Sequence, residues 1–205
     1  MKKWMVCAGL LALAGLSTSV EAQSLKDILK SAVVKDAVTS LTGGKELTSE
    51  NLVGTWEYVN PAVVLEGDNA LKNVAASAAS GEIEKKLQTY CDKVGIKQGT
   101  FSYTFNNDNT FTCLFKGKKL SGTYSLDKEN KTIQLNFGKL EKLQLLKQSA
   151  QVVLTNDQLA LLFPADKLLD FIGTLSSISG SATLKAVNSL AEQYDGVKVG
   201  FELKR

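Results

Sequence analysis

Eight aromatic side chains stand where two-residue alternation puts them in phase: Trp56, Tyr58, Phe101, Tyr103, Phe105, Phe111, Phe115 and Tyr124. If the strands carrying them curl into one barrel, their rings line its interior and the tyrosines add hydroxyls. That surface suits a small apolar or amphipathic ligand. The same rings serve as core packing, and small barrels of about eight strands are often filled by their own side chains. Both readings follow from the same residues.

Other chemistries find little support. The chain has no histidine, which removes the usual general base and the commonest metal ligand. There is no G-x-S-x-G elbow. Gly43-Gly44-Lys45 lacks the earlier glycine and the following Ser or Thr of a phosphate loop. Asn106 to Asn109 has no glutamate at the spacing of a calcium loop and reads as a hairpin turn. Glu82 and Glu84 fall on a solvated helix face. No catalytic residue, metal site or cofactor is expected, and the chain is read as a non-enzyme. Cys91 and Cys113 are two buried thiols or one disulfide; a bond between them would close a ring of 23 residues, a constraint of about 3 kcal/mol.

Charge narrows the partners. The chain carries 24 basic and 21 acidic residues, and its single arginine is Arg205. So balanced a surface gives no electrostatic grip on nucleic acid, and one arginine gives little bidentate readout. Residues 1–22 read as a cleaved signal peptide. MKK is followed by the uncharged apolar run Trp4 to Leu16, then by Val20-Glu21-Ala22 as a cleavage site. The expected location is therefore the periplasm or the extracellular space. No stable membrane insertion is expected, because the apolar run is shorter than the roughly 20 residues of a spanning helix. Leu159 to Ile178 is interrupted by Asp166, Lys167 and Asp170.

These residues need elements to position them. Residues 23–44 form an amphipathic helix with Leu25, Ile28, Leu29, Ala32, Val33 and Leu41 at helical spacing. It is expected to pack on the domain or to join a homo-oligomer rather than enter lipid. Residues 45–205 make the main domain. Leu52 to Asn60 reads as a strand stopped by Pro61, with Trp56 entering the core and Gly54 allowing another segment to approach closely. An alanine-rich stretch, 62–94, reads as a helical insert of two helices broken at Gly81. From Gly99 the period becomes two: FSYTF, TFTCLFK, LSGTYSL and KTIQLNF alternate between short polar turns. Strands are also expected at Leu140 to Leu146, Ser149 to Leu154 and QLALLF. A helix should follow Pro164, and another should span Ala182 to Tyr194. The closing VKVGFELKR alternates again and can pair with the first strand.

Gly54-Thr55-Trp56 matches the G-x-W signature of lipocalins, and the run from Phe101 to Phe137 is similar to the meander of small bacterial lipocalin-like domains. With its export signal, the chain resembles a secreted family of lipocalin-like domains of unknown function. The departures are the helical insert after the first strand and the absence of recognisable TDY and arginine motifs. The resemblance implies a mainly β fold, an antiparallel meander forming a lipocalin-like barrel or half-barrel. An N-terminal helix, the insert and C-terminal helices accompany it. It also implies a non-enzymatic module for a small hydrophobic ligand in the cell envelope. The alternative is a structural or protein-interaction module whose barrel is self-filled.

Overall fold

The computed structural model describes residues 45–64, 70–138, 147–176 and 197–205. Eight antiparallel strands close into a barrel in the order β1-β2-β3-β4-β5-β6-β7-β8. The strands are β1 (Gly54–Val64), β2 (Phe101–Phe105), β3 (Thr110–Phe115), β4 (Lys118–Asp127), β5 (Thr132–Phe137), β6 (Lys147–Leu154), β7 (Gln158–Pro164) and β8 (Lys198–Lys204). Among the described residues, three helices accompany them: α1 (Ser49–Leu52), α2 (Ala70–Val94) and α3 (Ala165–Ser176). The signal peptide, the amphipathic helix of residues 23–44, the strand expected at Leu140 to Leu146 and the helix expected at Ala182 to Tyr194 lie outside the described residues. No described helix is long and apolar enough to cross a membrane.

Closure is made by β8, which lies between β7 and β1. Its Val199, Phe201 and Leu203 face inward, as the alternation at the end of the sequence requires. Strands β2 to β5 follow the expected meander, with Phe101↔Phe115 and Phe105↔Phe111 at the two ends of the β2–β3 hairpin. Gly200 sits where β7 and β8 approach closely: a Cβ there would strike the Leu161 carbonyl.

The first strand differs from the expectation. Leu52 belongs to α1, whose Thr48 cap accepts the Asn51 N–H at 3.2 Å. Strand β1 begins at Gly54 and passes through Pro61 to Val64. Pro61 is tolerated because β1 pairs with β2 only from Gly54 to Glu57. Beyond Glu57 its ladder is with β8 alone, across a register shift between Tyr58 and Asn60. No strand on the other side needs the N–H that proline lacks. Gly54 serves conformation rather than close approach: its φ is +132°, and a Cβ there would meet nothing within 4 Å.

The insert is also simpler than expected. Residues 62–64 remain in β1, and a single helix, α2, runs through Gly81. A glycine inside a helix costs about 1 kcal/mol relative to alanine, and the apolar face that follows outweighs that cost. Ile83, Leu87, Tyr90, Cys91 and Val94 recur at helical spacing and are all buried.

Candidate functional site

The barrel interior is the candidate site, and period two alone aims its side chains. Trp56, Tyr58, Phe101, Tyr103, Phe105, Phe111, Phe115 and Tyr124 all belong to one buried cluster, and none is more than 4% exposed. The structure therefore brings together all eight residues singled out in the sequence.

Their rings contact one another around the wall. Tyr58 meets Phe101 edge-on at 6.1 Å, and Phe101 meets Tyr103 at 5.4 Å. Tyr103 stacks on Phe105 at 5.9 Å, and Phe105 meets Tyr124 at 5.3 Å. Rings outside the original set complete the chain of contacts. Phe201 lies 4.8 Å from Phe101, Phe137 lies 4.9 Å from Phe111, and Phe171 of α3 lies 5.2 Å from Phe137. Phe137 and Phe201 carry the same alternation signal as the eight. Phe171 does not, because it reaches the interior from a helix.

The lower end, where β1 begins, is crossed by residues 45–52. The Lys45 N–H donates to the Leu154 carbonyl of β6 at 2.6 Å, and the Ser49 hydroxyl bonds the Tyr124 oxygen of β4. The Tyr124 hydroxyl donates to the Asn106 carbonyl at 2.9 Å. Beneath this strap the Trp56 indole N–H donates to the Leu52 carbonyl at 2.7 Å. The Arg205 guanidinium lies 4.5 Å from the indole centroid, within cation–π range. It also donates to the Asn156 carbonyl from Nε and Nη2, at 2.9 and 2.7 Å. Sequence reasoning missed Arg205, because nothing local connects it to a tryptophan in the first strand.

The upper end is covered by α2 and α3. Ile83, Leu87, Tyr90, Cys91 and Val94 of α2 join the interior cluster, as do Leu168, Leu169, Phe171 and Ile172 of α3. The Tyr58 hydroxyl donates to Gln88 Oε1 at 3.2 Å, tying α2 to the wall. Gln148, on the inner face of β6 opposite Leu135, is the buried polar side chain among the described residues.

The two cysteines are free buried thiols, so the disulfide raised as one alternative is not formed. Burial pushes both up to about 12. Cys91 of α2 bonds Tyr58, and Cys113 of β3 bonds Tyr103, its cross-strand partner. Burial, reinforced by the Cys91 thiol, drives the Tyr58 phenol far above its ordinary range, and burial does the same to Tyr103. None of these groups is poised to exchange a proton near neutral pH. On the surface, Thr110 bonds hold the Asp108 carboxyl below its usual range, and Asn130 does so for Asp127. Both are turn-capping carboxylates.

A family model described as a lipocalin-like domain (DUF4923) matches residues 25–205. Among curated proteins nothing matches the chain. Among solved structures, the crystal structure of a DUF4847 family protein from Bacteroides vulgatus ATCC 8482 is similar at 15% identity. The match covers 75% of this chain and 93% of that one, with a TM-score of 0.36.

Proposed function

The chain belongs to the lipocalin-like DUF4923 family, and on that premise we propose that it is an exported, non-enzymatic module of the cell envelope whose barrel is filled by its own side chains. It acts through its exterior, as a structural or protein-interaction unit. The observation that carries this reading is the continuous ring-to-ring packing from Tyr58 through Phe101, Tyr103 and Phe105 to Tyr124, with both ends covered by the same chain. Rings packed on one another at 5–6 Å favour an interior filled by its own side chains. The absence of histidine and the high-lying buried thiols and phenols favour a non-enzyme.

A second reading has one observation in its favour. Helix α2 covers the upper end with apolar side chains, and Tyr58–Gln88 is a half-buried bond between neutral groups. A small hydrophobic molecule that displaced α2 would meet an aromatic wall. Native mass spectrometry of protein purified gently from its own host, followed by titration with palmitate, separates the two. The filled-barrel reading expects the bare chain mass and no saturable uptake. A co-purified lipid or metabolite, or one-to-one uptake of palmitate, would overturn it in favour of a carrier.

A further inference from the structure

Charge is sorted between the two ends of the barrel. At the lower end the signs mix: Asp127, Lys128, Glu129 and Lys131 share one turn, and Lys204 pairs with Asp157 at 3.6 Å. At the upper end, where α2 leads into β2 and β3 turns into β4, one sign prevails. Lys97, Lys116, Lys118 and Lys119 are all exposed, and among the described residues none of them makes an ion pair. Between Asp92 and Asp127 the one acid is Asp108, which lies on the lower hairpin between β2 and β3. Asp92 itself accepts from Gln88 Nε2 at 3.1 Å.

Two turns are locked together to gather these lysines. The Lys97 carbonyl receives the Thr100 and Phe101 N–H groups at 3.1 and 3.2 Å, folding residues 97–100 into a turn above β2. The Lys116 N–H donates to the Thr100 carbonyl at 3.2 Å. The Lys116 stem lies so close to Gly95 that a Cβ there would strike it, and its Nζ stands 5.8 Å from the Phe115 ring. Lys118 pairs with Phe115 across the hairpin, and Lys119 pairs with Leu114. Lys116 and Gly117 have φ of +51° and +75°. A two-residue turn of that hand favours Asn, Asp or Gly at its first position, and a lysine is held there at a conformational cost. Stability gives no reason for that lysine, whereas its charge does. The negative pole at the C-terminus of α2 answers about half of one charge, far less than four lysines carry.

We propose that this upper rim is a docking face for an anionic phospholipid surface, which deepens the reading of an exterior-acting module by naming its partner. The lysines stand on two projecting turns rather than in a cleft: Gly99 and Gly117, at their tips, have nothing within 4 Å of where a Cβ would be. A flat array of headgroups meets such projections without needing a pocket. Lysine is a compact point charge without the planar fork of arginine, so it answers a field of headgroups better than one phosphate held bidentately. Each lysine near such a surface raises partition about fivefold.

The test floats the full mature protein with phosphatidylcholine vesicles that contain phosphatidylglycerol, at low salt. Binding is expected to these vesicles and not to pure phosphatidylcholine. It should fall away at about 1 M salt, where screening shortens to about 3 Å. The quadruple variant Lys97→Gln, Lys116→Gln, Lys118→Gln, Lys119→Gln should lose more than about a hundredfold in partition while its circular dichroism persists. Lys116→Asn separates charge from folding: it should weaken binding about fivefold yet raise the urea midpoint, because asparagine suits the turn. No binding by the wild-type chain, equal binding to pure phosphatidylcholine, or undiminished binding by the quadruple variant would overturn the inference. Binding to heparin but not to vesicles, lost in the quadruple variant, would assign the face to an anionic glycan and overturn it too. One-to-one uptake of palmitate with vesicle binding intact would overturn the filled-barrel reading and leave this inference standing.

Discussion

The two ends of the barrel are closed by different physics. At the lower end a short strap is pinned by directional bonds: Lys45 to Leu154, Ser49 to Tyr124, and the Trp56 indole to Leu52 with Arg205 above it. At the upper end, two helices lay apolar side chains over the mouth. Hydrogen bonds and a cation–π contact admit one arrangement, while apolar burial is non-directional and tolerates sliding. The lower end is therefore the anchor. The upper end, held by non-directional burial, is the looser of the two.

The largest expected effect tests the anchor. Trp56→Ala should cost about 3–5 kcal/mol, read from urea denaturation. A loss below about 1 kcal/mol, the size of a surface change, would remove Trp56 from its role. Leu87→Ala, which thins the α2 cover, should cost about 2–4 kcal/mol and less than Trp56→Ala in the same buffer. If it costs more, the upper end is the firmer of the two. Arg205→Ala should cost about 1 kcal/mol through lost cation–π contact and carbonyl bonds. Arg205→Lys should recover part of that, because lysine keeps the charge without the planar fork.

The thiols test the cover against the wall through pH: Cys91 lies in the α2 cover and Cys113 in the β3 wall. Below about pH 8.5, the ordinary thiol pKa, both keep their protons whether folded or unfolded, and their contribution to stability is fully present. Folding raises them to about 12, so between those values the unfolded chain loses protons that the folded chain retains. Stability should therefore fall as pH rises from about 8.5 toward 12, seen as a lower urea midpoint at pH 10 than at pH 7. In native protein, a thiol reagent should modify Cys91 before Cys113, because the cover opens more readily than the wall. Equal rates would mean that the cover and the wall open together.

The sequence made the wall legible and hid the closures. Strands β2 to β5 could be read almost residue by residue, because a side-chain period of two and Asn, Asp and Gly turns are local signals. The same local reasoning failed where the cause was distant. Pro61 reads as a stop until β1 is seen to outrun its pairing with β2. Gly81 reads as a break until the face from Ile83 to Val94 is seen buried. Arg205 and Trp56 meet because the first and last strands are neighbours, a relation no window of sequence contains.

By itself, then, the sequence determined which residues face inward, that the fold is antiparallel and mainly β, and that Trp56 belongs in the core. Each follows from backbone geometry acting over two to four residues. Tertiary structure decided that the sheet closes through β8, that the aromatic faces meet as packed rings, and that the two ends are sealed by a bonded strap and an apolar cover. Those outcomes depend on contacts between residues far apart in the chain, whose geometry is set by the closed barrel as a whole.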